Sequence, residues 1–192
     1  MKDPSRSYET ISVDDLGRLA AIARQDRDAR FVRRPRWQPY ADRVLCVALC
    51  QGAALHYVDR RNGVKDLDVY TFYAEHPTGT FPYRWRTEAD FGPSKFGRHP
   101  GDPASFRGRR VDLIGRSLEV PPDADPVEAV RNYLAAERTE TARQLARKAV
   151  VILEPEPLRG RVVWPLMETV IWTDGSCNAE GIAGRGGWAG VD

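Results

Sequence analysis

A run of seven apolar residues, Val44–Cys50, followed at once by the pair Gln51-Gly52, most constrains what this chain can fold into. The run is far shorter than the ~18 residues of a membrane-spanning helix, so its apolar side chains call for burial inside a folded domain. Its length and the turn-forming glycine predict a buried β-strand. Residues 53–60 are then predicted to form a short helix.

The rest of the chain continues this alternation of strands and helices. Ser12 followed by Asp15 resembles a helix start, and that helix is predicted to end before Pro35. A helix is predicted to begin at Pro126 and to continue to about residue 145, whereas 76–103, rich in Gly, Pro and aromatic residues, is predicted to be a long irregular loop. Strands are predicted at 67–72 and 111–114, and a hairpin at 150–153 and 161–164. This order predicts an α/β or α+β domain that ends near Pro165.

Composition excludes several classes of protein. The chain has 192 residues, of which 42% are hydrophobic and 29% charged, so it is not an intrinsically disordered chain. Residues 1–10 are polar and three cysteines are an odd number, which favours a cytoplasmic protein without disulfides or membrane contact. The net charge is only +2.

The arginine-rich segment 24–43 is interpreted as a solvated helix face, with an RNA or polyphosphate surface as the alternative.

Three acidic residues are placed where two predicted strands begin. Asp66 and Asp68 are two residues apart, so they share one face of a strand while the apolar residues beside them enter the core. Asp112 lies between two apolar residues on another predicted strand. If these strands are neighbours, three carboxylates converge and need a counter-ion. Hard oxygen ligands suit Mg²⁺ or Mn²⁺.

A second group of residues suits a polyphosphate. At Gly52 the backbone can approach a phosphate closely, and the N-terminus of the predicted helix at Ala53 favours anions. Lys65, beside the acidic pair, and Arg109 and Arg110, before the third acid, can neutralise phosphate charge, although a solvated turn is the alternative for the two arginines. These residues together predict a nucleoside triphosphate site, with phosphates at Gly52 and metal ions at the acidic pair.

At these residues the sequence resembles the nucleotidyltransferase superfamily, which has a polymerase-β-like fold. Its signature is Gly with Gly or Ser, then acid–apolar–acid, then a third acid on a strand; the corresponding residues are Gly52-Ala53, Asp66-Leu67-Asp68 and Asp112. The motifs cover 44–118, and the looser resemblance covers 10–165. It implies an α+β domain over 1–166 in which a mixed sheet is flanked by helices.

The resemblance also implies a reaction. The three acids would hold Mg²⁺ or Mn²⁺ and carry catalysis, and a nucleoside monophosphate would pass from a triphosphate such as ATP to a hydroxyl of an RNA, a protein or a small molecule. Ala53 departs from the family pattern, because alanine cannot offer the usual serine hydroxyl to the phosphates. The alternative is therefore a catalytically inactive module of the same fold that binds nucleotide or RNA.

Residues 167–192 carry a different signal. A predicted strand enters a Gly-rich turn at Thr173-Asp174-Gly175-Ser176, and a second predicted strand returns near the end of the chain. This closely resembles the first hairpin of type I ribonuclease H, in which the corresponding acid, Asp174 here, binds metal. We therefore expect a truncated ribonuclease H-like fragment or a β-hairpin-like tail. One carboxylate cannot hold two metal ions, so this chain by itself is not expected to be an active ribonuclease. The third hypothesis is therefore a ribonuclease H-linked protein whose ribonuclease H part is incomplete here.

Overall fold

The first helix begins where the sequence provides a cap. Ser12 and Asp15 form a capping box: Asp15 N–H donates to Ser12 Oγ (3.2 Å), and Ser12 N–H donates to Asp15 Oδ2 (2.7 Å). Helix α1 spans Val13–Arg33, and a 3₁₀ segment, Pro35–Arg43, leads into the sheet. The computed structural model describes residues 3–77, 81 and 86–165. The ribonuclease H-like segment with Asp174 lies outside these residues.

A six-stranded mixed sheet forms the centre of the described chain. Its strands, in chain order, are β1 (Val44–Cys50), β2 (Leu67–Ala74), β3 (Arg86–Asp90), β4 (Arg110–Leu118), β5 (Ala149–Glu154) and β6 (Val162–Trp164). The spatial order is β3-β4-β2-β1-β5-β6. Strands β2 and β4 are parallel, and the other neighbouring pairs are antiparallel. The predicted α+β class with a mixed sheet is therefore confirmed.

Helices cover both faces of this sheet. Helix α2 (Gln51–Asp59) follows β1 directly, whereas α3 (Pro126–Ala136) and α4 (Glu140–Ala146) lie between β4 and β5. Alternate residues of the strands enter two separate cores, in agreement with the twofold period of a strand. Helices α1 and α2 pack on the face that carries Val69 and Leu113, and α3 and α4 pack on the face that carries Phe72 and Ile152.

Two sequence-based expectations about these elements are wrong. The single helix predicted from residue 126 to 145 is two helices, because Glu137 adopts a left-handed conformation (φ 46°) and Thr139 caps a new helix. The predicted irregular loop 76–103 contains strand β3, which pairs with β4 along its whole length. The short, partly exposed edge strand lacks the apolar run by which buried strands are recognised. Within the described ranges, no helix has the length and apolar character needed to cross a membrane.

Candidate functional site

Four side chains form one row across the sheet, where β1 ends and β2 and β4 begin. The register pairs Cys50 with Asp68, Asp68 with Asp112, and Asp112 with Glu88. Residues paired across neighbouring strands point to the same face, here the face of α3 and α4. The structure thus places Asp68 and Asp112 side by side on parallel strands and adds Glu88, which the sequence analysis did not single out. We call the three acids of this row, Asp68, Asp112 and Glu88, the acidic row.

Arg86, from the edge strand β3, holds the most deeply buried acid of the row. Its guanidinium donates from Nε to Asp112 Oδ1 (3.2 Å) and from Nη2 to Oδ2 (2.5 Å). The Asp112 side chain is 0% exposed, whereas that of Arg86 is 54% exposed. A buried carboxylate is therefore neutralised by a cation that still reaches solvent.

Arg110 lies among four carboxylates without binding any of them tightly. Its nitrogens are 3.4 Å from Asp66, 3.5 Å from Glu88, 3.7 Å from Asp112 and 4.0 Å from Asp102. Its buried Nε has no hydrogen-bond acceptor among the described residues. Arg110 therefore brings Asp66 to the acidic row, and one guanidinium is shared by four negative groups.

Asp68 is the acid of the row that has no direct cationic partner. Among the described residues its carboxylate forms neither a hydrogen bond nor a salt bridge, although the residue is half-buried. Burial raises the pKa of Asp68 to about 7, and the charges of Asp66 and Asp112 raise it as well, against the opposing effects of Arg86 and Lys148. The two arginines therefore do not fully compensate the negative charge around Asp68. A cation bound at Asp68 would stabilise its ionised form.

The N-terminus of α2 lies beside the acidic row, because Cys50 is both the last residue of β1 and the register partner of Asp68. No side chain caps this helix end, and Gln51 turns the chain with a positive φ of 59°. A Cβ built on Gly52 would meet no atom within 4 Å, so the space beside the first turn is open. Uncapped N–H groups beside open space suit an anion.

Lys148 adds a positive charge to this corner of the site. It lies between α4 and β5, and its Nζ is 3.5 Å from Gln51 Oε1. It also lowers the pKa of Asp68 electrostatically. Lys148 was missed in the sequence because nothing local to it indicates that the chain returns to the end of β1.

The other predicted phosphate-binding residues have different settings. The Ala53 side chain is buried in the core with α1, so only its backbone can face a phosphate. Lys65 is exposed beside Asp66 at the start of β2. Arg109 is 3% exposed, and its guanidinium donates to the backbone oxygens of Ser5, Lys65 and Phe96. Arg109 was predicted to bind nucleotide, but it lies just before β4 and its guanidinium is held by these three carbonyls, so we leave it out of the site.

The arginine-rich segment 24–43 is in part used inside the fold. Arg24 and Arg27 pair with Glu154 of β5, and the buried Arg30 pairs with Asp26 on the same helix. Arg36 lies over the ring of the buried Trp37 at 5.3 Å. These contacts favour a structural role for several of the arginines in this segment.

A cavity of about 450 Å³ lies away from the acidic row. It is on the same side of the sheet but near the carboxyl ends of β2 and β4, where Leu118, Tyr133 and Arg138 are among its lining residues. Arg116, also in its wall, is four residues beyond Asp112 on β4, or ~13 Å along the strand. The cavity is thus separate from the charged site, which is an open surface at the other end of these strands.

In the described part of the chain, no three His, Cys, Asp or Glu side chains are arranged as a metal-binding group. Arg86 and Arg110 contact the acids that would have to form one. The donors nevertheless suit Mg²⁺ or Mn²⁺, because they are carboxylate oxygens and Asp68 lacks a direct counter-charge.

Comparisons with known proteins found no similar protein. No protein-family model matches the chain, and neither a curated protein nor a solved structure shows significant similarity to it. The geometry of the site is therefore the basis for its function.

Proposed function

We propose that this protein is a metal-dependent nucleotidyltransferase that transfers a nucleoside monophosphate from a nucleoside triphosphate to a hydroxyl acceptor. The observation that carries the proposal is the placement of Asp68 beside Asp112, next to the uncapped N-terminus of α2. Carboxylates that can hold a divalent cation and amides that can hold phosphate oxygens are the two components that phosphoryl transfer requires.

The residues of the site have separate roles in this proposal. The backbone N–H groups of Gly52 and Ala53 bind phosphate oxygens, and Lys148 neutralises part of their charge. Asp66, Asp68 and Asp112 would hold Mg²⁺ or Mn²⁺, which stabilises the charge that develops on the transferred phosphoryl group.

The transfer itself exchanges one bond for another. The acceptor oxygen bonds to the α-phosphorus, the bond between the α-phosphorus and the bridging oxygen breaks, and pyrophosphate leaves. The hydroxyl proton passes to a carboxylate of the acidic row. Acceptors with such a hydroxyl include RNA, a protein side chain and small molecules.

Asn substitutions test the proposal at two positions. Asp68→Asn and Asp112→Asn keep the side-chain shape but remove the negative charge, and each is expected to reduce transfer of α-labelled nucleotide by about 100-fold or more. Candidate acceptors are pooled RNA, protein and the chain itself, and Mg²⁺ and Mn²⁺ are compared. Asp123→Asn, at an exposed turn, is the matched control and should behave as the wild type. Label transfer by Asp68→Asn at the wild-type rate would disprove the mechanism.

A binding module without chemistry is the second candidate function. It is favoured by the two arginines, which already contact the acids of the row, and by Ala53. Calorimetry with a non-hydrolysable triphosphate separates the two functions. The enzyme requires Mg²⁺ or Mn²⁺ for tight binding, whereas the module binds equally well in the presence of a chelator. The ribonuclease H-linked hypothesis predicts that a longer form of the protein cleaves an RNA–DNA hybrid.

A further inference from the structure

We infer that Arg86 is a built-in counter-cation that competes with a divalent cation for Asp112 and is released toward anionic substrate when the cation binds. The inference rests on the proposed function for its substrate part. It starts from an asymmetry in the Arg86–Asp112 pair: the carboxylate is fully buried, and the guanidinium that neutralises it is about half exposed.

A buried carboxylate that stays ionised needs a positive partner, because an unpaired charge in the interior costs several kcal/mol. Arg86 provides that partner through both carboxylate oxygens. A divalent cation bound between Asp68 and Asp112 would supply the same compensation. The guanidinium and the cation are therefore alternative partners of one carboxylate.

Arg86 is able to leave because of where it is attached. It is the first residue of β3, at the edge of the sheet, and among the described residues its guanidinium forms hydrogen bonds and a salt bridge only with Asp112. Arg110, by contrast, is divided among four acids and is only 24% exposed. Arg86 is thus the arginine that can exchange one partner for another.

This exchange couples the binding of cation and triphosphate. Cation binding alone leaves Arg86 without its carboxylate, whereas binding in the presence of a triphosphate gives the guanidinium a phosphate partner. The two ligands should therefore bind cooperatively through Arg86, in addition to their direct attraction for one another.

The test is a titration of the full-length protein with Mn²⁺, in which free Mn²⁺ is measured by electron paramagnetic resonance. Arg86→Gln keeps a donor for Asp112 but removes the charge, and it should bind Mn²⁺ about tenfold more tightly than the wild type, within the ~5–150-fold range of typical couplings. Arg61→Gln removes an exposed guanidinium that forms no salt bridge among the described residues, and should leave Mn²⁺ affinity unchanged. Arg86→Lys keeps the charge without the two-pronged contact and should give an intermediate affinity.

A second titration adds α,β-methylene ATP. The triphosphate should improve Mn²⁺ affinity more in the wild type than in Arg86→Gln, and Asp112→Asn should abolish the difference between the two backgrounds. Circular dichroism confirms that each variant is folded, and the Lys variant replaces the Gln variant if the latter is not.

The outcomes separate this inference from the proposed function. Equal Mn²⁺ affinity in wild type and Arg86→Gln overturns the inference and leaves the metal-dependent function intact. Tighter binding by Arg86→Gln without any nucleotidyl transfer by the wild type supports the inference and overturns the function. Absence of Mn²⁺ binding in both proteins, with and without triphosphate, overturns both.

Discussion

Replacing Arg109 by methionine should destabilise the fold without weakening a nucleotide contact. The Arg109 guanidinium is buried and donates to Ser5 O (3.1 Å), Lys65 O (3.1 Å) and Phe96 O (2.5 Å). These oxygens belong to the N-terminal segment, to the turn before β2, and to the loop between β3 and β4. One side chain thus joins three segments that are far apart in sequence, next to the start of the strand that carries Asp68.

The size of the effect follows from these contacts. Hydrogen bonds to a charged group contribute ~1.5–3 kcal/mol each, and the three carbonyls would lose their donors in Arg109→Met. Against this, the wild type bears the cost of a buried guanidinium whose Nε has no acceptor within the described residues, and burial lowers the pKa of Arg109. The net expectation is a loss of about 3 kcal/mol in the free energy of unfolding, which corresponds to a decrease of roughly 6–12 °C in Tm for a domain of this size.

The assay is urea denaturation followed by tryptophan fluorescence, together with calorimetric titration of a non-hydrolysable triphosphate. Arg107→Met, at an exposed position of the same loop, is the control and should change the free energy of unfolding by less than ~0.5 kcal/mol. A loss below about 1 kcal/mol for Arg109→Met, accompanied by a loss of triphosphate affinity, would refute the structural role. It would also restore Arg109 to the nucleotide site that the sequence predicted.

Three further predictions concern the scaffold of the site. Both Cys46 and Cys50 are buried, and burial raises the pKa of Cys46 to about 12. In a Cys177→Ser background, neither thiol should therefore react with iodoacetamide at pH 8 until urea is added. Labelling of the native protein would contradict this prediction. A Cβ on Gly108 would lie 1.8 Å from the carbonyl oxygen of Gly92, so Gly108→Ala should lower the free energy of unfolding by about 3 kcal/mol or more. Gly52→Ala, which has open space around its Cβ, should have nearly wild-type stability in the same melt. Burial tends to raise the pKa of Asp15, but its hydrogen bonds with Lys95 and Ser12 lower this pKa overall. The carboxylate therefore stabilises the fold above its unfolded pKa of ~3.9, and this contribution is lost as the pH falls through its pKa in the folded protein. The stability difference between wild type and Asp15→Asn should therefore shrink below about pH 4 in melts at successive pH values, and a gap that does not change with pH would exclude this linkage.

Local sequence patterns were sufficient for several parts of the fold. The apolar run Val44–Cys50 and the capping pair at Ser12 each depend on residues within one element, and both are found in the structure as predicted. Gln51-Gly52, expected to bound the strand as a turn, instead begins helix α2. Strand alternation also predicted a common face for Asp66 and Asp68, but Asp66 precedes β2 and only Asp68 lies on that strand. The same alternation across 109–113 predicts that Arg109 shares a face with Val111, which lies in the core with α1 and α2.

The remaining features of the site depend on contacts between distant segments. Alternation determines the face of a side chain, but the identity of the neighbouring strand and its register are set by packing over the whole sheet. The sequence alone could therefore propose Asp68 and Asp112 as neighbours only on the condition that their strands are adjacent. Tertiary structure placed these strands side by side in parallel, brought Glu88 and Arg86 to them from an edge strand that has no apolar run, and placed Lys148 at the end of β1.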